Sequence, residues 1–136
     1  MQVFVSCIQY AVKRELKMES WVLPKIRKAR QENLKFLDLG NAGITDADWP
    51  LLSELFELTE LERLSFGHHY FDNEKQSYIK CPNEGRANRL QRIPQIIISL
   101  NQLRSLGLLG CKQITNEGLE HLSTLTQLNS LNLGGC

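Results

Sequence analysis

The apolar residues of this chain fall into a recurring figure. Leu103, Leu106, Leu108 and Cys111 return 25 residues later as Leu128, Leu131, Leu133 and Cys136. The two nine-residue pieces, LRSLGLLGC and LNSLNLGGC, share six letters, including the terminal cysteine. The same figure fits Leu34, Leu37, Leu39 and Ile44, and again Leu61, Leu64, Phe66 and Phe71. Four copies therefore begin at 34, 61, 103 and 128, with spacings of 27, 42 and 25. Recurrence at this period marks a stack of repeated units. The LxL core alternates with period two, which predicts a short strand with two side chains on one face. The leucine three residues earlier fills the same interior. One unit buries only one side, so stacked units bury a continuous leucine column and set their strands parallel. Strands are expected near 36–40, 63–67, 105–109 and 130–134.

Between strands the chain must return behind the sheet. In ITNEGLEHLSTLTQL, Thr115 or Asn116 caps a helix start, and Leu119, Leu122 and Leu125 follow at spacing three. That spacing suits a short α- or 3₁₀-helix with one buried edge. ITDADWPLLSELFELTEL is a longer version, opened by Thr45 or Asp46, with Pro50 in a tolerant first turn. Leu52, Leu55 and Leu58 face inward there, joined by Trp49. Asp46, Asp48 and Glu117 are helix-start residues, where negative charge is favourable.

The whole figure resembles the leucine-rich repeat, LxxLxLxx(N/C)xL. The last copy is similar to the bacterial and F-box-associated pattern ITDxGLxxLxxLTxLxxLxLxxC. IPQIIISLNQLRSLGL resembles a second flavour, IPxxIxxLxxLxxLxL, with Ile93, Ile97, Leu100 and Leu103 buried. The resemblance covers residues 34–71 and 93–136. It implies an α/β leucine-rich-repeat solenoid: a short parallel sheet on the concave face, helices on the convex face and an N-terminal helical cap. The Asn/Cys position follows the strand, where backbone groups lose their ladder partners and an unpaired buried group is costly. Asparagine there donates and accepts; cysteine is a small filler with a weak S–H donor. Cys111 and Cys136 read as such fillers, against a disulfide or reactive role. The first two copies depart from the pattern, with Ala42 and His69 in the ladder position. Asn41, one residue early, could substitute after a small shift.

The 42-residue spacing contains an insertion at 72–92. It is polar, and Cys81-Pro82-Asn83-Glu84-Gly85 reads as a turn. Two readings stay open: a solvated excursion, or a contact loop in which Tyr78 and the arginines reach a partner. Residues 1–33 form the expected cap. Residues 11–32 look helical with an interruption near Pro24, where a new helix would start, placing Ile26 and Ala29 against the first repeat. Residues 1–10 alternate only loosely, as a short strand or a disordered lead.

Composition narrows the function classes. The formal charge is +1 and 42% of residues are hydrophobic, so neither a global nucleic-acid charge nor disorder is indicated. The apolar runs are too short for a membrane span, and the N-terminus lacks the basic start of a signal peptide. A cytoplasmic location is expected. Residues 13–30 carry seven cations (Lys13, Arg14, Lys17, Lys25, Arg27, Lys28 and Arg30) against Glu15 and Glu19. No aromatic set accompanies them, so nucleic acid is a minor reading. Four cysteines (7, 81, 111 and 136) form no CxxC, and the histidines complete no zinc spacing. No phosphate loop, dinucleotide fingerprint, HExxH or GxSxG is present. No catalytic residue, metal ligand, cofactor or small-molecule substrate is assigned. His69 reads as a ladder filler and His68 as exposed.

What remains is surface. Residues between the leucines point outward, and Phe36, Asp38, Arg63, Ser65, His68, Leu109 and Asn132 are the expected partner-binding set. Arg and aromatic residues are enriched at interface hot spots. The resemblance implies non-catalytic protein recognition, with the chain expected to be a fragment of a larger protein. The alternative is the recognition arm of a ubiquitin-ligase-like effector or of a Roco-type GTPase, whose repeat arms start in a way similar to ENLKFLDLGNAGIT.

Overall fold

Each LxL figure forms a strand of three residues: β1 (Phe36–Asp38), β2 (Arg63–Ser65), β5 (Ser105–Gly107) and β6 (Ser130–Asn132). In the computed structural model, which describes residues 18–135, they make one parallel sheet in the order β1-β2-β5-β6. The register pairs Leu37 with Leu64, Leu64 with Leu106, and Leu106 with Leu131. Equivalent letters of the recurring figure therefore sit side by side. The protein is a mixed α/β structure with this sheet against its core.

The leucines hold the sheet more than its hydrogen bonds do. Three-residue strands make few ladder bonds, each worth about 1 kcal/mol net. A fully buried leucine contributes about 1.5–3 kcal/mol. Leu37, Leu64 and Leu106 form one column, and Leu39, Phe66 and Leu108 a second, all buried. Leu61 and Leu103 close the column from the approach side. Leu34 and Leu131, at the two edges, are each 39% exposed, so the column is thinner there.

The return segments are 3₁₀ helices: η1 (Asp46–Glu57, kinked at Leu52), η2 (Gln95–Ser99) and η3 (Glu117–Thr124). A spacing of three puts leucines on one edge only when a turn holds three residues, so 3₁₀ geometry keeps them all inward. Leu52, Leu55 and Leu58, Ile97 and Leu100, and Leu122 and Leu125 are buried accordingly. Thr45, extended at φ −121° and ψ 169°, precedes η1, and its N–H donates to Asp48 at 2.8 Å. Before η3, the Thr115 hydroxyl accepts from Gly118 N–H at 2.9 Å, so Thr115 rather than Asn116 is the cap.

Helix α1 (Val22–Gln31) buries Val22, Ile26 and Ala29. It begins ahead of Pro24 instead of at it, since a proline in the first turn removes no helical hydrogen bond. Arg27 and Arg30 pair with Glu54 and Glu57 of η1, each at 2.9 Å. These exposed pairs contribute little stability but use up cations of the basic segment. Lys13, Arg14, Lys17, the expected helix over 11–17 and the lead over 1–10 lie outside the described residues.

The second repeat corrects the expected insertion. The excursion starts earlier than residue 72, as an antiparallel hairpin of β3 (His69–Asp72) and β4 (Ser77–Lys80). It also ends earlier. Asn88 and Leu90, placed by sequence inside the insertion, belong to the repeat: both are buried, Leu90 completely. His69 is a hairpin residue, not the ladder filler, and Phe71 is 36% exposed instead of a column residue. Asn88 supplies the ladder. Its Oδ1 accepts from Ile44 N–H at 2.9 Å, and its Nδ2 donates to the carbonyls of Leu39 (2.8 Å) and Phe66 (2.9 Å). The same side chain serves the first turn, where Ala42 is buried and has nothing to donate. Cys111 sits buried one unit further, its Sγ 3.9 Å from the Phe66 carbonyl.

Asn88→Ala removes the side-chain partner of Ile44 N–H and of the Leu39 carbonyl, leaves the Phe66 carbonyl with the long Cys111 contact, and is expected to destabilise the fold by about 2–4 kcal/mol. Urea unfolding at neutral pH measures this; a loss under about 0.5 kcal/mol would show that the Asn88 contacts are dispensable.

Candidate functional site

The outward face of the sheet is covered by the chain itself. The β3–β4 hairpin lies across it. At one end the Phe36 ring meets Tyr70 with centroids 5.0 Å apart. The Arg63 guanidinium stacks on Phe36 at 4.7 Å and donates through Nη2 to the Phe71 carbonyl. At the other end Asn132 Nδ2 donates to the Tyr78 hydroxyl at 3.2 Å. Between them, under the hairpin, remains a space of about 50 Å³ whose lining includes the small residues Ser65, Ser105, Gly107 and Ser130. That is room for about one or two water molecules. At the open rim, Lys35, Phe36, Arg63, Phe71, Tyr78 and Arg104 border a wider groove of about 580 Å³.

From Cys81 onward the chain forms a strap over the first repeat. Cys81 N–H donates to the His68 carbonyl at 2.8 Å, closing the base of the hairpin. The Cys81 thiol donates to the Asp38 carboxylate, 3.1 Å from its Oδ2. Asn83 Nδ2 donates to the carbonyls of Asp38 and Gly40, each at 3.1 Å, and Lys25 donates to Asn83 Oδ1 at 3.0 Å. Trp21 Nε1 donates to the Glu84 carbonyl. Asn41, left-handed at φ 55°, donates to the Asn83 carbonyl, so it holds the strap and does not stand in for the ladder residue. Further along, Asp46 accepts from Gln91 N–H at 3.2 Å. The first corner, beneath the strap, needs a glycine: a Cβ on Gly40 would lie 2.7 Å from Cys81 Sγ and 2.3 Å from the Gly67 carbonyl oxygen.

The seven expected surface residues thus divide. Phe36, Arg63, Ser65 and Asn132 come together around the covered space. Ser65 is only 3% exposed and Asp38 only 5%, so neither is open surface; hairpin and strap lie over them. Asp38 is instead an acceptor for Cys81 and for Gly40 N–H at 2.9 Å. His68 and Leu109 stand apart, beyond the strand ends. His68 is exposed, and its ring meets His69 edge-on at 4.8 Å, so the two adjacent rings do not point to opposite sides. Leu109 is half-buried between glycines: a Cβ on Gly134 would meet its Cδ1 at 2.5 Å, and one on Gly67 its backbone nitrogen at 2.8 Å.

Tyr70, Phe71, Cys81, Asn83 and Asn88 were not in the expected set, and Tyr78 was expected only in the contact-loop reading of the insertion. Asn88-Arg89-Leu90, two residues ahead of IPxxI, is an NxL ending in the right place, a signal that could have found Asn88. The alternation in HYFD and SYIK around a polar turn could have found the hairpin.

Burial, and then the hydrogen bond to Asp38, pushes the Cys81 thiol up to about 11. Burial likewise raises the Tyr70 phenol, with nearby Asp38 adding to it. Cys81 and Cys111 are both buried; Cys7 and Cys136 lie outside the described residues. Among the described residues no cluster of three or more His, Cys, Asp or Glu could hold a metal, and no helix is long and apolar enough to cross a membrane. The groups on the covered face stack aromatic rings and exchange hydrogen bonds with main chain and phenol. Comparison with protein-family models and with curated proteins finds no match.

The folded state holds the Cys81 proton more tightly than an unfolded chain, where a thiol titrates near pH 8.5. Its contribution is therefore complete below about pH 8.5 and is lost as pH rises toward 11. Thermal melts from pH 7 to 10.5 should show wild type losing stability faster above pH 9 than Cys81→Ala. Parallel profiles would contradict this.

Proposed function

We propose that this chain is a leucine-rich-repeat solenoid that recognises a protein partner, in the cytoplasm, through the outward strand face, and that it performs no catalysis itself. The solenoid reading is supported by the sheet register, whose offsets equal the repeat spacings, and by Asn88 and Cys111 in successive ladder positions. On this reading the sheet lines the concave side, the 3₁₀ segments form the convex side and α1 caps the first repeat.

The observation that carries the function is the Phe36–Arg63 platform. An arginine stacked on an aromatic ring already holds a tyrosine ring and a main-chain carbonyl. Such groups combine apolar area with directional donors, the composition of interface hot spots. Phe71 and Tyr78, 36% and 57% exposed, extend the aromatic surface to the rim.

Affinity retention on immobilised protein tests the reading. A specific protein retained by wild type should be lost, at least tenfold, with Phe36→Ser combined with Arg63→Glu, while circular dichroism stays unchanged. Equal retention by both, or no retained protein, would count against it.

A further inference from the structure

The two parts of the excursion are held very differently. The strap buries Cys81, Asn88 and Leu90 and is bonded to α1, to the first turn and to η1. The hairpin buries none of its strand residues: His69, Tyr70, Asp72 and Ile79 are half-buried, and Phe71, Ser77, Tyr78 and Lys80 are exposed. Two paired strands alone are marginal in water. The hairpin stacks on and hydrogen-bonds to the sheet through Phe36 and Arg63 at one end and through Asn132 at the other, over a space it does not fill. Its base meets the anchored frame where Cys81 N–H bonds the His68 carbonyl.

We propose that the hairpin is an internal occupant of the strand face, displaced when an extended partner segment bearing aromatic side chains takes its place. The proposal rests on the reading that this face binds protein. The occupant shows what the face accepts: an aromatic ring against Phe36, a main-chain carbonyl for Arg63 Nη2, and a phenolic oxygen for Asn132 Nδ2. A tyrosine-containing strand supplies all three. The small residues beneath, Ser65, Ser105, Gly107 and Ser130, leave a bed on which a backbone can lie. While the hairpin sits there, the competent fraction is reduced, and apparent affinity falls by that fraction. The hairpin therefore sets a threshold for binding and selects against segments that cannot match its contacts.

The test uses purified protein and needs no partner. Residues 70–79 are replaced by Gly-Gly, and a synthetic peptide of residues 69–80 is titrated into the shortened and the intact chain by calorimetry. Binding to the shortened chain is expected to be at least tenfold tighter, and weakened severalfold by Phe36→Ala or by serine at both peptide tyrosines. Equal affinity for the two chains, or no binding to a shortened chain that melts like wild type, would overturn the proposal. Should the shortened chain not fold, hydrogen exchange on the intact chain decides. Hairpin amides are expected to exchange at least 100-fold faster than those of Leu64 and Leu106; comparable protection would overturn it. Peptide binding without any retained protein would remove the partner reading and leave the internal occupancy standing.

Discussion

The amide of Asn88 ties together two turns that local sequence cannot complete. Its one acceptor and two donated hydrogen bonds reach Ile44, Leu39 and Phe66, which belong to different strand-to-return corners. Each of those backbone groups lies where the short strands have ended, in a residue that is buried. A buried amide or carbonyl left unpaired there costs about 1–3 kcal/mol. That is comparable to a whole leucine of the column. The leucines bring the units together, but the corners decide whether the units can be stacked without buried unpaired groups.

The covered face depends on the same residue. An excursion of this length can leave the second strand only if the chain re-enters the stack in register. Asn88 and Leu90 perform that re-entry, and the strap before them is stitched to Asp38, Gly40 and Asn41. The strap in turn fixes the base of the hairpin at Cys81. The hairpin lies over Ser65 and Ser105 because its base is held at the His68–Cys81 corner. Asp38, a surface candidate by alternation alone, becomes an internal acceptor for the same reason. Glycine at 40 answers to this close approach, since a side chain there would collide with Cys81 and the Gly67 carbonyl, while glycine at 67 makes room for Leu109 of the next unit.

The leucine columns and their register were legible in sequence because they are local. Period two within the strand and spacing three in the return segments are each visible in fewer than a dozen letters. Trp49, Ile26 and Ala29 were legible as buried for the same reason. The second corner was not, because its asparagine stands 22 residues from Phe66, while Cys111 follows Leu108 by three. A template of fixed length therefore met His69 and Phe71 first and assigned them inward. Of the candidate site, alternation identified Phe36, Arg63, Ser65 and Asn132 as neighbours across one face. It could not show that a hairpin from the same chain covers them, since that contact depends on where the excursion folds back. His68 and Leu109 lie past the strand ends, where alternation no longer predicts direction.

The most direct measurement is made on the Asn88 side chain by nuclear magnetic resonance. If Asn88 holds the two corners, its amide protons exchange slowly with solvent and show Overhauser contacts to the neighbourhoods of Leu39 and Phe66. Rapidly exchanging Asn88 amide protons, with no contact to either residue, would contradict the arrangement on which the sheet, the strap and the covered face all rest.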